Sequence, residues 1–271
     1  FELNNSFESA EEQAAFDVYD ANNINPLYGF FVARAGLGAS ESMRSKLAEY
    51  NDPRLSRAFI TKQGTSGKEQ APGTADNAVY APNGTPEQGT SKYGTSLFMY
   101  SISAPTLLLS YHELKFLEAE ALCRLGRDAK SALKDAVVAG LLNAESSFSV
   151  SRKELGKTLI NPASSITDTE AESYFDNTVE AKYTAEPLKT TMTQKYFALW
   201  GASGEATESY NDVRRMKGLG ENFIELKNPN SFPLRCPYGN SDTTTNAEVK
   251  AAYGNGQYVY SENVWWAGGS R

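Results

Sequence analysis

The sequence predicts a mainly α protein made of tetratricopeptide-like helix pairs, an α-α superhelix, with long irregular loops. Three observations carry that prediction. From Pro105 to Leu125 apolar residues recur at the helical period of ~3.6, and Gly126 ends the pattern. A second helical pattern starts at once with Asp128, and a turn that short leaves antiparallel packing as the easy arrangement. A further pair follows between 168 and 200, and Gly-, Asn-, Ser- and Pro-rich runs longer than ordinary connections separate the helices.

Taken in order, Ser6 or Ser9 caps an expected first helix reaching about Tyr19. Phe7, Ala10, Ala14 and Ala15 fall at helical spacing, with Glu8, Glu11 and Glu12 in the first turns, where the helix dipole favours acid. Residues 22–38 are expected to be a loop carrying Tyr28, Phe30 and Phe31. Ser40 caps a short helix to Tyr50 with Met43 and Leu47 on one face. It stops at Asn51-Asp52-Pro53, because the residue before a proline is pushed out of the helical region. Asp52 and Arg54 fit a turn clamp better than a binding site. From Thr61 to Ser103 the chain is a long loop containing Tyr80, Asn83, Tyr93, Phe98 and Tyr100.

On the central helix, Leu114, Leu117, Ala121 and Leu125 share one face, and Leu109, His112, Phe116, Ala119 and Cys123 share the opposite one. Two apolar faces predict neighbours on both sides. Glu113, Glu120 and Arg124 occupy the strip between them, with Glu120 and Arg124 at i,i+4. The next helix runs from Asp128 to about Ser146 through Ala129, Leu133, Ala136, Val137, Gly140 and Leu141, and a separate amphipathic stub is expected at 151–165. Thr167 or Asp168 caps a helix to about Tyr183. Pro187 opens another to Trp200, at a first-turn position proline tolerates, and Gly201 closes it. Arg214 and Arg215 suit an anion clamp or, preferably, a pairing with Asp212 or a helix carboxylate. The stretch 223–271 shows little helical pattern.

Composition limits the function. With 33 acidic against 26 basic residues the net charge is -7. No Lys/Arg cluster stands out, which argues against nucleic acid and anionic membrane surfaces and for a neutral partner. No apolar run is long enough to cross a bilayer. The sequence as it stands shows no signal-peptide pattern and opens on Phe1, so a processed or truncated segment is expected. Two cysteines make no disulfide framework, and Cys123 and Cys236 are expected as free thiols. The single histidine, His112, sits on an apolar helix face, so no Ser-His-acid triad is expected and it is read as a core imidazole. Gly64-Thr65-Ser66-Gly67-Lys68 and Gly201-Ala202-Ser203-Gly204 both fail the spacing of a nucleophile elbow, and no phosphate loop or metal spacing occurs. No cofactor or metal is expected, and among the acids no pair is nominated for glycoside hydrolysis.

The unusual number is aromatic: 15 Tyr, 13 Phe and 3 Trp. An aromatic face beside amides suits a sugar, whose C–H face stacks on the ring while its hydroxyls meet the amides. Tyr80, Asn83 and Tyr93 in the 61–103 loop are therefore candidate ligand residues, unless that loop is a decoration packed on the helices. Trp265 and Trp266 either anchor the end of the chain or offer a stacking platform.

Four ordered segments carry a resemblance. Leu108-Leu109-Ser110-Tyr111-His112-Glu113-Leu114 with Phe116-Leu117-Glu118-Ala119-Glu120-Ala121 and Gly126 resembles the signature helix of the SusD/RagB family of outer-membrane nutrient-binding lipoproteins. The stretch from Ser40 through Asp52-Pro53-Arg54-Leu55 is similar to a segment in one branch of that family. Gln194-Lys195-Tyr196-Phe197-Ala198-Leu199 with Tyr210-Asn211-Asp212-Val213-Arg214-Arg215 resembles its Q-K-Y-x-A-L and Y-x-D-x-R-R segments. Phe232-Pro233-Leu234-Arg235-Cys236-Pro237-Tyr238, Asn246 and Trp265-Trp266 resemble its closing segment.

The resemblance implies one SusD-like helical-repeat domain over 1–271, lacking the N-terminal part of the family pattern. It further implies non-catalytic glycan binding at the cell surface of Bacteroidetes, for uptake with a SusC-like TonB-dependent transporter. Membrane attachment would be only through a lipid anchor that this segment lacks. The alternatives are a helical-repeat scaffold binding a peptide or protein, with polar side chains set for backbone amides, and a glycan-active hydrolase, which needs two carboxylates across a cleft.

Overall fold

Ser110 decides where the central helix begins. In the computed structural model, which describes residues 8–34, 37–63, 69–72, 80–84, 92–160, 162–227, 231–254 and 256–269, its hydroxyl accepts the Glu113 N–H at 3.0 Å. The helix α3 accordingly spans Tyr111–Arg124, and the residues ahead of the cap, Thr106–Leu109, form a strand, β5. The periodicity from Pro105 is thus helical only after Ser110. Replacing Ser110 by Ala removes the side-chain acceptor and is expected to cost about 1 kcal/mol, read as a lowered melting temperature.

The partner of β5 corrects the first expected helix. Ser9 does cap, accepting the Glu11 N–H at 3.2 Å, but only for a 3-10 turn at Ala10–Glu12; Ser6 lies outside the described residues. Ala14–Phe16 is then a strand, β1, antiparallel to β5 with Phe16 opposite Thr106. A helix of so few residues is marginal in water, and pairing with β5 overrides it. The expected loop after it contains a helix, α1, at Pro26–Arg34. Pro26 stands at its first position. Asn25 serves it twice, its Oδ1 accepting the Leu27 N–H at 2.8 Å and its amide donating to the Ala104 carbonyl at 2.7 Å.

Helix α2, Glu41–Glu49, is capped by Ser40 as expected and buries Met43 and Leu47. In the loop region beyond it, β2 (Phe59–Gln63), β3 (Glu69–Pro72) and β4 (Thr95–Ser96) form an antiparallel sheet in the order β3-β2-β4. The Gly64–Lys68 stretch lies outside the described residues. Helix α4 runs unbroken over Lys130–Leu155 and absorbs the start of the expected stub; Gly156, with φ of 50°, ends it. Helices α5 (Asp168–Tyr174) and α6 (Glu180–Ala185) are joined by a π turn, Phe175–Val179, into the one helix foreseen, and α7 follows at Pro187–Leu199. Two helix pairs, α3–α4 and α5/α6–α7, thus give the tetratricopeptide-like architecture. α8 (Glu208–Gly218) follows a 3-10 turn at Ser203–Thr207.

The core sits where these pairs meet. Phe116, Leu133, Leu141, Phe148, Phe175 and Val179 are fully enclosed in it, each apolar side chain contributing about 1.5–3 kcal/mol of burial free energy. The Phe98 ring lies 4.6 Å from Phe148 and 5.1 Å from Trp200. Gly140 lets α4 approach α7, since a Cβ there would stand 2.9 Å from the Ala198 Cβ. Only one of the two apolar faces expected on α3 is buried. Leu117 and Leu125 are exposed, and the strip bearing Glu113 and Glu120 is enclosed instead.

The chain divides into two compact units, Phe1–Leu226 and Lys227–Arg271. The second contains the short helices α9 (Asn240–Thr245), α10 (Ala247–Tyr253) and α11 (Tyr258–Ser261), and a 3-10 turn at Trp265–Ala267. Its centre is aromatic. The Arg235 guanidinium lies 5.7, 5.9 and 5.4 Å from the ring centroids of Tyr238, Tyr253 and Tyr258, each a cation–π distance.

Candidate functional site

The candidate residues separate into enclosed and accessible groups. Asn83 is a structural clamp: its Oδ1 accepts the Ser40 hydroxyl at 3.1 Å and the Ser42 N–H at 3.2 Å, holding the start of α2. Tyr80 is brought to the same helix. Its ring packs edge-on against Phe59 at 5.1 Å and lies under the Arg44 guanidinium at 5.8 Å. Tyr93 is 8% exposed, with the Lys92 ammonium 5.2 Å from its ring. Burial on that scale leaves no open ring face. In the other unit, Trp265 and Trp266 are 71% and 69% exposed, set edge to face at 5.5 Å. Exposed tryptophans of that area are what stacking on a neutral ligand requires.

Unit 1 also carries a groove of about 490 Å³ between residues 8–13, the start of α3 and one side of α4; Gln13, Tyr111, Asp135, Asn143 and Glu172 are among the side chains lining it. It is mixed in character, and it adjoins His112.

The segments singled out in the sequence assemble an ionic chain, buried at Lys195 and Glu120 and exposed at Arg124 and Arg215. Lys195 of α7 donates to Asp212 of α8 at 2.8 Å and stands 3.9 Å from Glu113 of α3. Asp212 also accepts from Arg215 at 2.7 Å. Arg215 in turn pairs with Glu120, which holds Arg124 at 2.6 Å, and Arg124 reaches Glu221 at 2.9 Å. The preferred pairing of Arg215 with Asp212 and a helix carboxylate is therefore what the structure contains. Burial pushes the Glu120 carboxyl up, but the two guanidiniums outweigh it and hold it below the usual carboxylate range.

His112 is 1% exposed and its Nε2 lies 3.6 Å from Glu205 Oε2. That spacing would make an ion pair of a charged imidazole. The ring is neutral, however, because burial and then the positive charges of Arg54 and Lys195 push it down to about 3. Glu205 is the member that periodicity missed. It lies in a turn whose sequence signal is Gly204, where a Cβ would stand 2.4 Å from the Leu107 carbonyl oxygen; the glycine permits the close approach of turn to strand.

Among the described residues no group of His, Cys, Asp and Glu could hold a metal, and no helix is long and apolar enough to cross a membrane. Cys123 and Cys236 are free thiols, as expected.

A family model, SusD-like, described as starch-binding and associating with the outer membrane, matches residues 2–238. The chain belongs to the SusD-like family. Its structure is similar to a SusD/RagB family protein from Bacteroides thetaiotaomicron, with 66% sequence identity and a TM-score of 0.88 over 98% of this chain and 57% of that one. It resembles a SusD homologue from Bacteroides fragilis at 19% identity and a TM-score of 0.65, over 96% of this chain and 58% of that one. A structure described as a chitin-binding protein shares the fold at 20% identity and a TM-score of 0.59, over 96% and 56% of the two chains. No curated protein matches the chain significantly. This SusD-like chain spans a little over half the length of these solved relatives.

Proposed function

We propose that the chain is a non-catalytic glycan-binding component of an outer-membrane uptake system, working beside a SusC-like TonB-dependent transporter at the cell surface. The match of residues 2–238 to a family described as starch-binding and outer-membrane associated carries the reading. A structural neighbour described as chitin-binding agrees with it in fold. The exposed Trp265 and Trp266 faces are the surface on this chain that best suits sugar stacking; Tyr80 and Asn83 at the start of α2 form a secondary candidate.

A hydrolase reading needs two carboxylates reachable by substrate across ~5 to ~10 Å. Glu113 and Glu205 are buried at 6% and 2% exposure, so these two are closed to substrate. The test is isothermal titration of the folded chain against starch-type, chitin-type and other neutral glycans. Saturable binding to at least one, with no reducing ends released on prolonged incubation, is the expected result. Release of reducing ends would overturn the non-catalytic reading.

A further inference from the structure

The groove of unit 1 is lined by acceptors that no donor of the fold meets. Its apolar lining is Pro105 with Val138, Ala139 and Leu142 along one side of α4. The carboxylates of Glu8, Asp135 and Glu172 line the same groove, and none of them accepts a hydrogen bond or joins an ion pair among the described residues. The Asn143 amide is equally uncommitted, and Gln13 uses only its Oε1, which accepts the Tyr111 N–H at 3.4 Å. The cations at hand are already engaged. Lys134, also on the lining, donates to both oxygens of Asp176 at 2.8 and 3.0 Å; Lys115, on which the Asp135 charge acts, is held by Glu118 at 3.0 Å. His112 is the enclosed member of the lining, at 1% exposure. Its Nε2 is shut off from water and turned to Glu205 Oε2 at 3.6 Å, so the neutral ring keeps its proton there and its lone pair on Nδ1. Nδ1 has no hydrogen-bond partner among the described residues and is the ring nitrogen left to face the groove.

Acceptors gathered in a cavity call for a donor, and carboxylates without a counter-charge call for a positive one. The volume of about 490 Å³ falls in the range of small organic ligands, about 300–1,000 Å³. We propose that the groove binds a primary ammonium carried on a sugar, making it a site for amino sugars built from residues other than Trp265 and Trp266. An ammonium has three donors and no acceptor, which answers the carboxylates and His112 Nδ1. The sugar hydroxyls meet the amides of Asn143 and Gln13, and its C–H face rests on Val138 and Leu142. Uronic and sulfated sugars are repelled by the same carboxylates, and N-acetylation removes the charge together with two of the donors. The sugar half of the inference rests on the glycan-binding reading above, the ammonium half on the groove alone.

The test is calorimetric titration at pH 6 with the glucosamine trisaccharide and, separately, with its fully N-acetylated form. It compares the wild-type chain with Trp265→Ala/Trp266→Ala and with Asp135→Asn/Glu172→Gln, an isosteric change at two exposed positions. The expected result is saturable binding of the glucosamine trisaccharide by the wild-type chain and the tryptophan variant alike. Asp135→Asn/Glu172→Gln should bind it about tenfold more weakly or worse, as hydrogen bonds to charged groups are lost. Raised salt should weaken the wild-type chain toward that variant, and the N-acetylated form should be indifferent to the two changes. Equal binding of the glucosamine trisaccharide by the wild-type chain and Asp135→Asn/Glu172→Gln would overturn the groove site. So would a chain that binds neutral glycans but not this trisaccharide, an outcome that leaves the glycan-binding reading standing. A folded chain that binds no saccharide, charged or neutral, overturns both.

Discussion

Asp52→Ala should lower the stability of the 1–226 unit by about 3–5 kcal/mol, the range for breaking a buried ion pair from one side. Asp52 and Arg54 side chains are 0% and 2% exposed and meet at 2.6 Å. Arg54 also donates through Nε to Asp52 at 2.8 Å and through Nη1 to the Phe197 carbonyl at 2.8 Å. The pair thus ties the turn after α2 to the end of α7. Without Asp52 the guanidinium keeps one acceptor and no counter-charge, in a site water cannot reach. The double variant Asp52→Leu/Arg54→Leu should be less damaging than Asp52→Ala alone, because it removes the stranded charge along with the bond. Equilibrium urea unfolding of the variants measures both; a double variant worse than the sum of its parts would contradict this account of the clamp.

Lys195→Met is expected to be of similar size, about 3–5 kcal/mol. Lys195 is 2% exposed and is the cation against which Asp212 and Glu113 are set. Its loss takes the cation from Glu113 and from Asp212, of which Asp212 keeps Arg215. Since Lys195 pulls the Glu113 carboxyl down, removing it should push that carboxyl above about 8. The variant's stability should therefore go on falling beyond the pH at which the wild-type curve levels. Unfolding at pH 6, 8 and 10 checks size and sign together; a loss independent of pH would contradict the coupling of Lys195 to Glu113.

The helix pairs were legible because burial along α4, α5 and α6 follows a periodic pattern, from Leu133 and Leu141 to Tyr174 and Val179, whereas α7 is buried on every side from Thr190 to Lys195. The ends were less so. Ser110 competes with the apolar period ahead of it, and the strand it leaves behind pairs with Ala14–Phe16 from far away in the chain, a partnership that local spacing does not encode. Asn25-Pro26 reads equally as a loop and as a helix start; the buried amide contact to Ala104 favours the second. The burial of Glu113 and Glu120 was hidden for another reason. Their helical strip looks solvated until Lys195 and Arg215, from helices much later in the sequence, arrive to pair with it.

The candidate ligand residues show the same limit. Composition marks Tyr80, Asn83 and Tyr93 as a suitable set, but packing is what decides access: Tyr93 is enclosed and Asn83 holds a helix end. Trp265 and Trp266 lie in a short turn closed by Gly268 at φ of 88°, and both are exposed.

The most direct measurement of the glycan-binding claim is a tryptophan-fluorescence titration of the folded chain with starch-type and chitin-type oligosaccharides, paralleled by Trp265→Ala/Trp266→Ala. Both rings are open to water, so a stacked sugar should shift their emission to the blue and protect them from a soluble quencher, in a saturable manner, while Trp200, partly buried against the core of unit 1, stays silent. The double variant should fold and lose the signal together with binding. A folded wild-type chain whose emission and quenching are unchanged by every neutral glycan, with no binding by calorimetry, would contradict a glycan-binding role for this chain.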